Sequence, residues 1–292
     1  MLLETKDLTV RFGGVVANNA LDIEVDTGQL VGLIGPNGAG KTTFIDALTG
    51  FVRSTGAITF DGERIDQLAP HKRAKVGLSR TWQSLELFDD LSVRENLQVA
   101  SETPRLLDPV LDLVRPRRGH DAAAIERALD LLGLSAAAER MPSELSQGQR
   151  KMVSAARALA ADPRLVLMDE PAAGLDSNES RALGLQLRSL LGAGLTILLV
   201  DHDMGLILEV CDFIYVIDFG SVIASGTPAE IRRDEGVIKA YLGERSRGDA
   251  ATGPRSLAAR VYQRLGRRRH PDRRHDQPRL RHADQQDRKS VV

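Results

Sequence analysis

The chain has 292 residues, enough for one large or two modest domains, and its 42% hydrophobic and 27% charged residues exclude a disordered or fibrous protein. The net charge of −1 is uneven: residues 245–292 carry 14 Lys and Arg against 5 Asp, a net of +9, which leaves −10 on the first 244. Cys211 stands alone, so no intrachain disulfide is expected. The start "MLLETKDLTV" lacks the layout of a secretion signal, and apolar runs such as "LTILLV" (Leu195–Val200) fall far short of the ~20 residues that cross a bilayer. If the protein works at a membrane, another chain spans it.

The first elements alternate as strands do: "LLETKDLTVRF", "ALDIEV", and "QLVGLIG" after a turn at Thr27–Gly28. A glycine loop and a helix follow, then the strand "GAITFDG" closed by Asp61–Gly62. From about Leu85 to Ala161 the pattern is helical. Ser92 and Glu95 have capping-box spacing, and Ile125, Leu129 and Leu132 share a face that Gly133 ends. Pro104, Pro109 and Pro116 predict broken helix and loop between them. Strand-helix alternation then resumes with "RLVLMDE", "NESRALGLQLRSLLGAG", "LTILLV" and "MGLILEVC". A hairpin turns at Phe219–Gly220, and Thr227 and Glu230 box the start of a final helix. Such alternation implies an α/β fold with a mostly parallel sheet and an inserted helical segment.

Gly35, Pro36, Asn37, Gly38, Ala39, Gly40, Lys41 and Thr42 satisfy G-x-x-x-x-G-K-[ST] between an apolar strand and a helix, the context a phosphate loop requires. Glycines let backbone N–H groups converge on phosphate oxygens, and the helix N-terminus adds partial positive charge. Lys41 is expected on the β/γ phosphates and Thr42 on Mg²⁺. Asp169, ending a buried strand, can hold the same Mg²⁺, and Glu170 can polarise a water for attack on the γ-phosphate. Alone, acids after an apolar strand more often cap the next helix or face solvent; together with the phosphate loop they point to chemistry. In "ELSQGQRKMVSAARALAADP", Ser146 and Gln149 form a capping box followed by Arg150 and Lys151, while Met152, Ala155, Ala156 and Leu159 form the apolar face.

In this order the motifs resemble the nucleotide-binding subunits of ATP-binding cassette (ABC) transporters, from the start of the chain to about Gly243. "GPNGAGKT" looks like Walker A, Gln83 in "RTWQ" like the Q-loop, and "LSQGQ" like the signature, with Gln147 departing from the commoner LSGGQ. "LVLMDE" looks like Walker B, "AAGLD" (Ala172–Asp176) like the D-loop, and His202 in "VDHD" like the switch histidine. The resemblance implies a P-loop NTPase (RecA-like) core with an N-terminal antiparallel β subdomain and an inserted α-helical subdomain. Residues 1–244 would form the ATPase domain, with 1–84 and 162–244 as core and 85–161 as insertion.

It also implies ATP and Mg²⁺ as ligands and a head-to-tail dimer with a second cassette, identical or not. One subunit's loop, Gly35 to Thr43, would face the other's Ser146, Gln147, Gly148 and Gln149. Glu170 would be the base, and His202 would hold the γ-phosphate. Gln83 would sense γ-phosphate or Mg²⁺, and Asp176 would communicate across the dimer; a loop polar residue and a helix cap are the respective alternatives. Phe12 would stack on adenine or else belong to the strand core.

Phrases such as "GLSRTWQSLELFDDLSVRENL", "DEPAAGLD" and "DFIYVIDFGSVIASGTPAEI" resemble the ATPases of branched-chain amino-acid importers. Urea or amide importers and the lipopolysaccharide-export ATPase share much of this wording. The implied partners are two membrane-spanning permeases and, indirectly, a substrate-binding protein, with the chain peripheral on the cytoplasmic face of the plasma membrane. A soluble cassette acting on ribosomes or DNA is the alternative of another class; one motif set and an ordinary insertion disfavour it, so nucleic acid is not expected as a partner. The Arg-rich tail 245–292 is expected to be disordered.

Overall fold

The computed structural model describes residues 1–81, 87–101, 120–238 and 240, all within the compact unit Met1–Ala250. Gln83, the Pro104–Pro116 stretch and the basic tail lie outside the described residues.

Two sheets organise the described chain. β1 (Leu3–Phe12), β2 (Val15–Val25), β4 (Thr55–Phe60) and β5 (Glu63–Arg64) form an antiparallel sheet in the order β2-β1-β4-β5. The sequence pattern showed only the second half of β2, because register shifts near Leu8 and Val10 of β1 break the alternation of the pair. The second sheet has the order β10-β9-β3-β8-β7-β6. Its parallel strands are β9 (Phe213–Asp218), β3 (Leu30–Ile34), β8 (Thr196–Val200), β7 (Leu165–Asp169) and β6 (Leu78–Arg80), with β10 (Ser221–Gly226) antiparallel at the edge.

Every residue of β3, β7 and β8 is buried, which explains their unbroken apolar sequence: both faces of this sheet are covered. Alternate residues divide between the two covers. Val166, Met168, Ile197 and Leu199 join the apolar cluster with α3 (Val93–Ser101), α4 (His120–Leu131), α5 (Gln147–Leu159), α6 (Ser177–Gly192) and α7 (Met204–Val210). Leu165, Leu167, Leu198 and Val200 join the other cluster, with α1 (Lys41–Thr49) and the antiparallel sheet. The expected inner face of α5 is in place, with Met152, Ala155, Ala156 and Leu159 all buried.

Two arginines fix α1, the helix that follows the glycine loop. Arg73, on α2 (Pro70–Lys75), is 4% exposed and donates to Ala47 O (2.7 Å) and Leu48 O (2.8 Å) at the C-terminal end of α1, and also to Asp66 O and Leu68 O. Burial lowers its pKa, opposed by Asp66, and the four carbonyls replace its lost water. Arg80 of β6 pairs with Asp46 of α1 at 2.6 Å, with both side chains nearly buried. Neither β6 nor α2 was evident in the sequence, since three and six residues are too few to show a period.

Candidate functional site

The register of the parallel sheet aligns the ends of three strands: Leu33 of β3 is opposite Val200 of β8, which is opposite Asp169 of β7. Everything that follows these positions therefore emerges at one carboxyl edge, where open α/β sheets bind ligands. From β3 comes the loop Gly35–Gly40, from β7 Glu170, and from β8 Asp201 and His202.

The loop accepts only glycine at two points. A Cβ at Gly35 would stand 2.0 Å from Ile217 O, and one at Gly40 2.4 Å from Ala17 O, where φ is also +105°. Gly40 is the N-cap of α1, without a side-chain cap or an acidic residue in the first turn. That start can offer its backbone donors and dipole to an anion. The loop is braced from outside, since Asn18 Nδ2 donates to Gly40 O (3.1 Å) and Gly220 N to Ala39 O (3.0 Å). The Lys41 ammonium is buried and donates to Gly35 O (2.5 Å) and Pro36 O (3.0 Å), which places it inside the curve of the loop. Thr42 is exposed and Thr43 half-buried on the next positions.

Asp169 is 2% exposed, and neither carboxylate oxygen has a hydrogen-bond partner in good geometry. Desolvation raises its pKa to about 6; Arg80 and Thr42 act against the rise, while Glu170 and Asp46 add to it. Thr42 is thus close enough to be felt without satisfying either oxygen. Glu170 follows with φ +50°, a left-handed conformation unusual for this residue, and its N–H donates to Val200 O at 2.7 Å.

Asp201, fully buried, organises the neighbouring loops. Its carboxylate accepts from Ala172 N (3.1 Å), His202 N (2.8 Å) and Asp203 N (3.0 Å), and His202 Nδ1 lies 3.5 Å away. The His202 side chain is 58% exposed and points off this anchor. The sequence reading missed Asp201, although a signal existed: it is an acid directly after the apolar run Ile197–Val200, as Asp169 is after Leu165–Met168.

The start of α5 is built differently. Ser146 Oγ accepts from Gln149 N (3.2 Å), and Gln149 Oε1 accepts from Ser146 N (3.0 Å), completing the capping box. A Cβ on Gly148 would meet Glu179 and Leu175, and one on Gly174 would meet the Gln147 amide, so this turn lies against its own chain's Ala172–Asp176 loop. Asp176 caps α6, accepting from Asn178 N (2.8 Å) and Glu179 N (2.9 Å). Phe12 ends β1 opposite Val15, half-buried against the cluster beneath that sheet.

A glycine loop between a parallel strand and a helix, with an acid closing the strand two places away in the sheet, defines a P-loop nucleotide-binding ATPase. Residues 18–173 match the family described as "ABC transporter", and residues 221–246 match the family described as "Branched-chain amino acid ATP-binding cassette transporter". The chain belongs to the ABC transporter family as one of its ATP-binding cassettes, and it is an ATPase. It is 41% identical over 252 residues to the high-affinity branched-chain amino acid transport ATP-binding protein BraF of Pseudomonas aeruginosa, covering 83% of this chain and 98% of the relative. To the lipopolysaccharide export system ATP-binding protein LptB of Haemophilus influenzae it is 37% identical, covering 77% and 90%. The crystal structure of the ADP conformation of MJ1267, an ATP-binding cassette of an ABC transporter, superposes with a TM-score of 0.74 at 29% identity, covering 83% of this chain and 98% of that one.

Proposed function

We propose that this chain is the ATP-hydrolysing subunit of an importer for branched-chain or related amino acids, working at the cytoplasmic face of the membrane beneath two permease subunits. The observation that carries the ATPase chemistry is the convergence of the Lys41 loop, Asp169, Glu170 and His202 at one sheet edge. The 221–246 match and the relatives named for branched-chain amino acid transport favour this cargo over lipopolysaccharide export. No helix among the described residues is long and apolar enough to cross a membrane, so the reading assigns the membrane passage to other chains.

In this reading the loop Gly35–Thr43 binds the phosphates of ATP through backbone donors, and Lys41 moves its ammonium from the loop carbonyls to the β/γ oxygens. Asp169 and Thr42, with Gln83, would hold Mg²⁺. The fit rests on the two buried Asp169 oxygens without hydrogen-bond partners, because a desolvated carboxylate is stabilised by a cation. When bound, that ion neutralises phosphate charge. Glu170 takes a proton from the attacking water, and its fixed backbone aims the carboxylate. His202, held by Asp201, steadies the γ-phosphate. A second cassette presents its own Ser146–Gln149 turn to this ATP, while this chain's turn serves the partner. Residues 85–161 act as the insertion that passes closure to the permeases, and 1–84 with 162–244 as the core.

The test is affinity purification of the chain from its own host in mild detergent, with co-purifying chains identified by mass spectrometry. Two multi-span permeases and a second cassette support the importer. Recovery of ribosomal or DNA-bound proteins without a membrane partner would sink it.

A further inference from the structure

Lys151 stands two residues beyond the Ser146–Gln149 box, on the side of α5 that faces the loop after Glu170. Its ammonium donates to Pro171 O at 3.0 Å and also to Ala173 O. These carbonyls flank Ala172, whose N–H is held by the buried Asp201 carboxylate. The peptide units directly after Glu170 are therefore gripped from two sides, by Asp201 from β8 and by Lys151 from α5. The same loop meets α5 at its start, where Gln147 lies beside Gly174, and Gly148 beside Leu175 and Glu179.

We propose that Lys151 is a positioning residue that makes the N-terminal turn of α5 and the loop carrying Glu170 one mechanical unit within the chain. The inference rests on the roles proposed above for Glu170 and Ser146–Gln149. If the turn meets the partner's ATP while Glu170 serves this chain's own ATP, Lys151 links the two sites. A shift of α5 on engaging phosphate is carried through two charge-assisted hydrogen bonds to the residues that aim Glu170. A displacement of about 1 Å at a reacting group can cost on the order of 10²-fold in rate, so a short linkage of this kind is sufficient.

The surroundings fit a retained ammonium. Desolvation lowers the Lys151 pKa, while Asp201, Glu170 and Glu179 pull it upward. Three carboxylates and two carbonyls around a half-buried cation leave no apolar substitute for it. An arginine fork could span both carbonyls, whereas methionine keeps the length of the stem and none of the donors.

The experiment compares ATP hydrolysis by the purified full chain as wild type, Lys151→Met, Lys151→Arg, Glu170→Gln and the double variant Lys151→Met with Glu170→Gln. Lys151→Met should lower kcat by about tenfold or more with the KM for ATP within about twofold of wild type, because Lys151 does not touch the phosphate loop. Lys151→Arg should recover most of the loss. In the Glu170→Gln background the Lys151 change should cost almost nothing, since its only route to the chemistry is already cut. An unchanged kcat for Lys151→Met, or an equal loss in both backgrounds, overturns the proposal. If Lys151→Met does not fold, Lys151→Gln in the same cycle decides it. Near-normal turnover by Glu170→Gln alone would instead overturn the assignment of Glu170, so the two failures are told apart.

Discussion

Helices α1 and α5 both begin in a polar, glycine-containing turn, yet the two starts are finished in opposite ways. At α1 the N-cap is a left-handed glycine with no side-chain cap, no acid follows in the first turn, and a buried lysine sits inside the preceding loop. At α5, Ser146 and Gln149 satisfy each other's backbone donors. In the function proposed above, the first start keeps its dipole and donors for the phosphates of ATP. The second already has its cap made, which suits the role proposed for it, a contact made and broken across a dimer.

Among changes at these two starts and the acid beside them, the largest effect should come from removing the charge at the open start. Lys41→Ala is expected to lower ATP turnover by about 10²–10³-fold, measured by phosphate release from the purified full chain. Substituting Asp169 sharpens the comparison from the other side of the loop and should raise stability. Its folded pKa of about 6 lies above the ordinary 3.8, so the folded state prefers the proton, and stability falls as pH rises through this interval. Without metal at pH 8, Asp169→Asn should gain on the order of 3 kcal/mol over wild type, a gain that fades towards pH 4. Urea unfolding in a chelator at both pH values checks this, and an equal difference at the two would contradict it. The smallest effect belongs to the closed start: Ser146→Ala should cost about 1 kcal/mol in the same unfolding assay.

Much of this was legible in the chain because the responsible features are local. Gly35, Gly40 and Lys41 stand within seven consecutive positions, and the buried strands betray themselves by unbroken apolar runs. What escaped was what depends on distant partners. Arg73 closes α1 from 25 and 26 residues away, and Asp201 holds Ala172 across 29. Lys151 read only as a charge after a helix cap, since nothing nearby shows that Pro171 and Ala173 curl back beneath it. Asp176 illustrates the limit differently: the family resemblance implied a dimer contact, its place before Ser177 allowed a helix cap, and the fold gives it the cap's hydrogen bonds.

The most direct test of the central claim, that this edge of the sheet hydrolyses ATP through Glu170, is to measure turnover and ATP affinity together in the purified Glu170→Gln chain. Turnover should fall by about 10²–10⁴-fold with ATP affinity retained, because the change removes a proton acceptor and leaves the phosphate loop intact. Near-normal turnover with affinity retained would contradict the account and remove Glu170 from the chemistry.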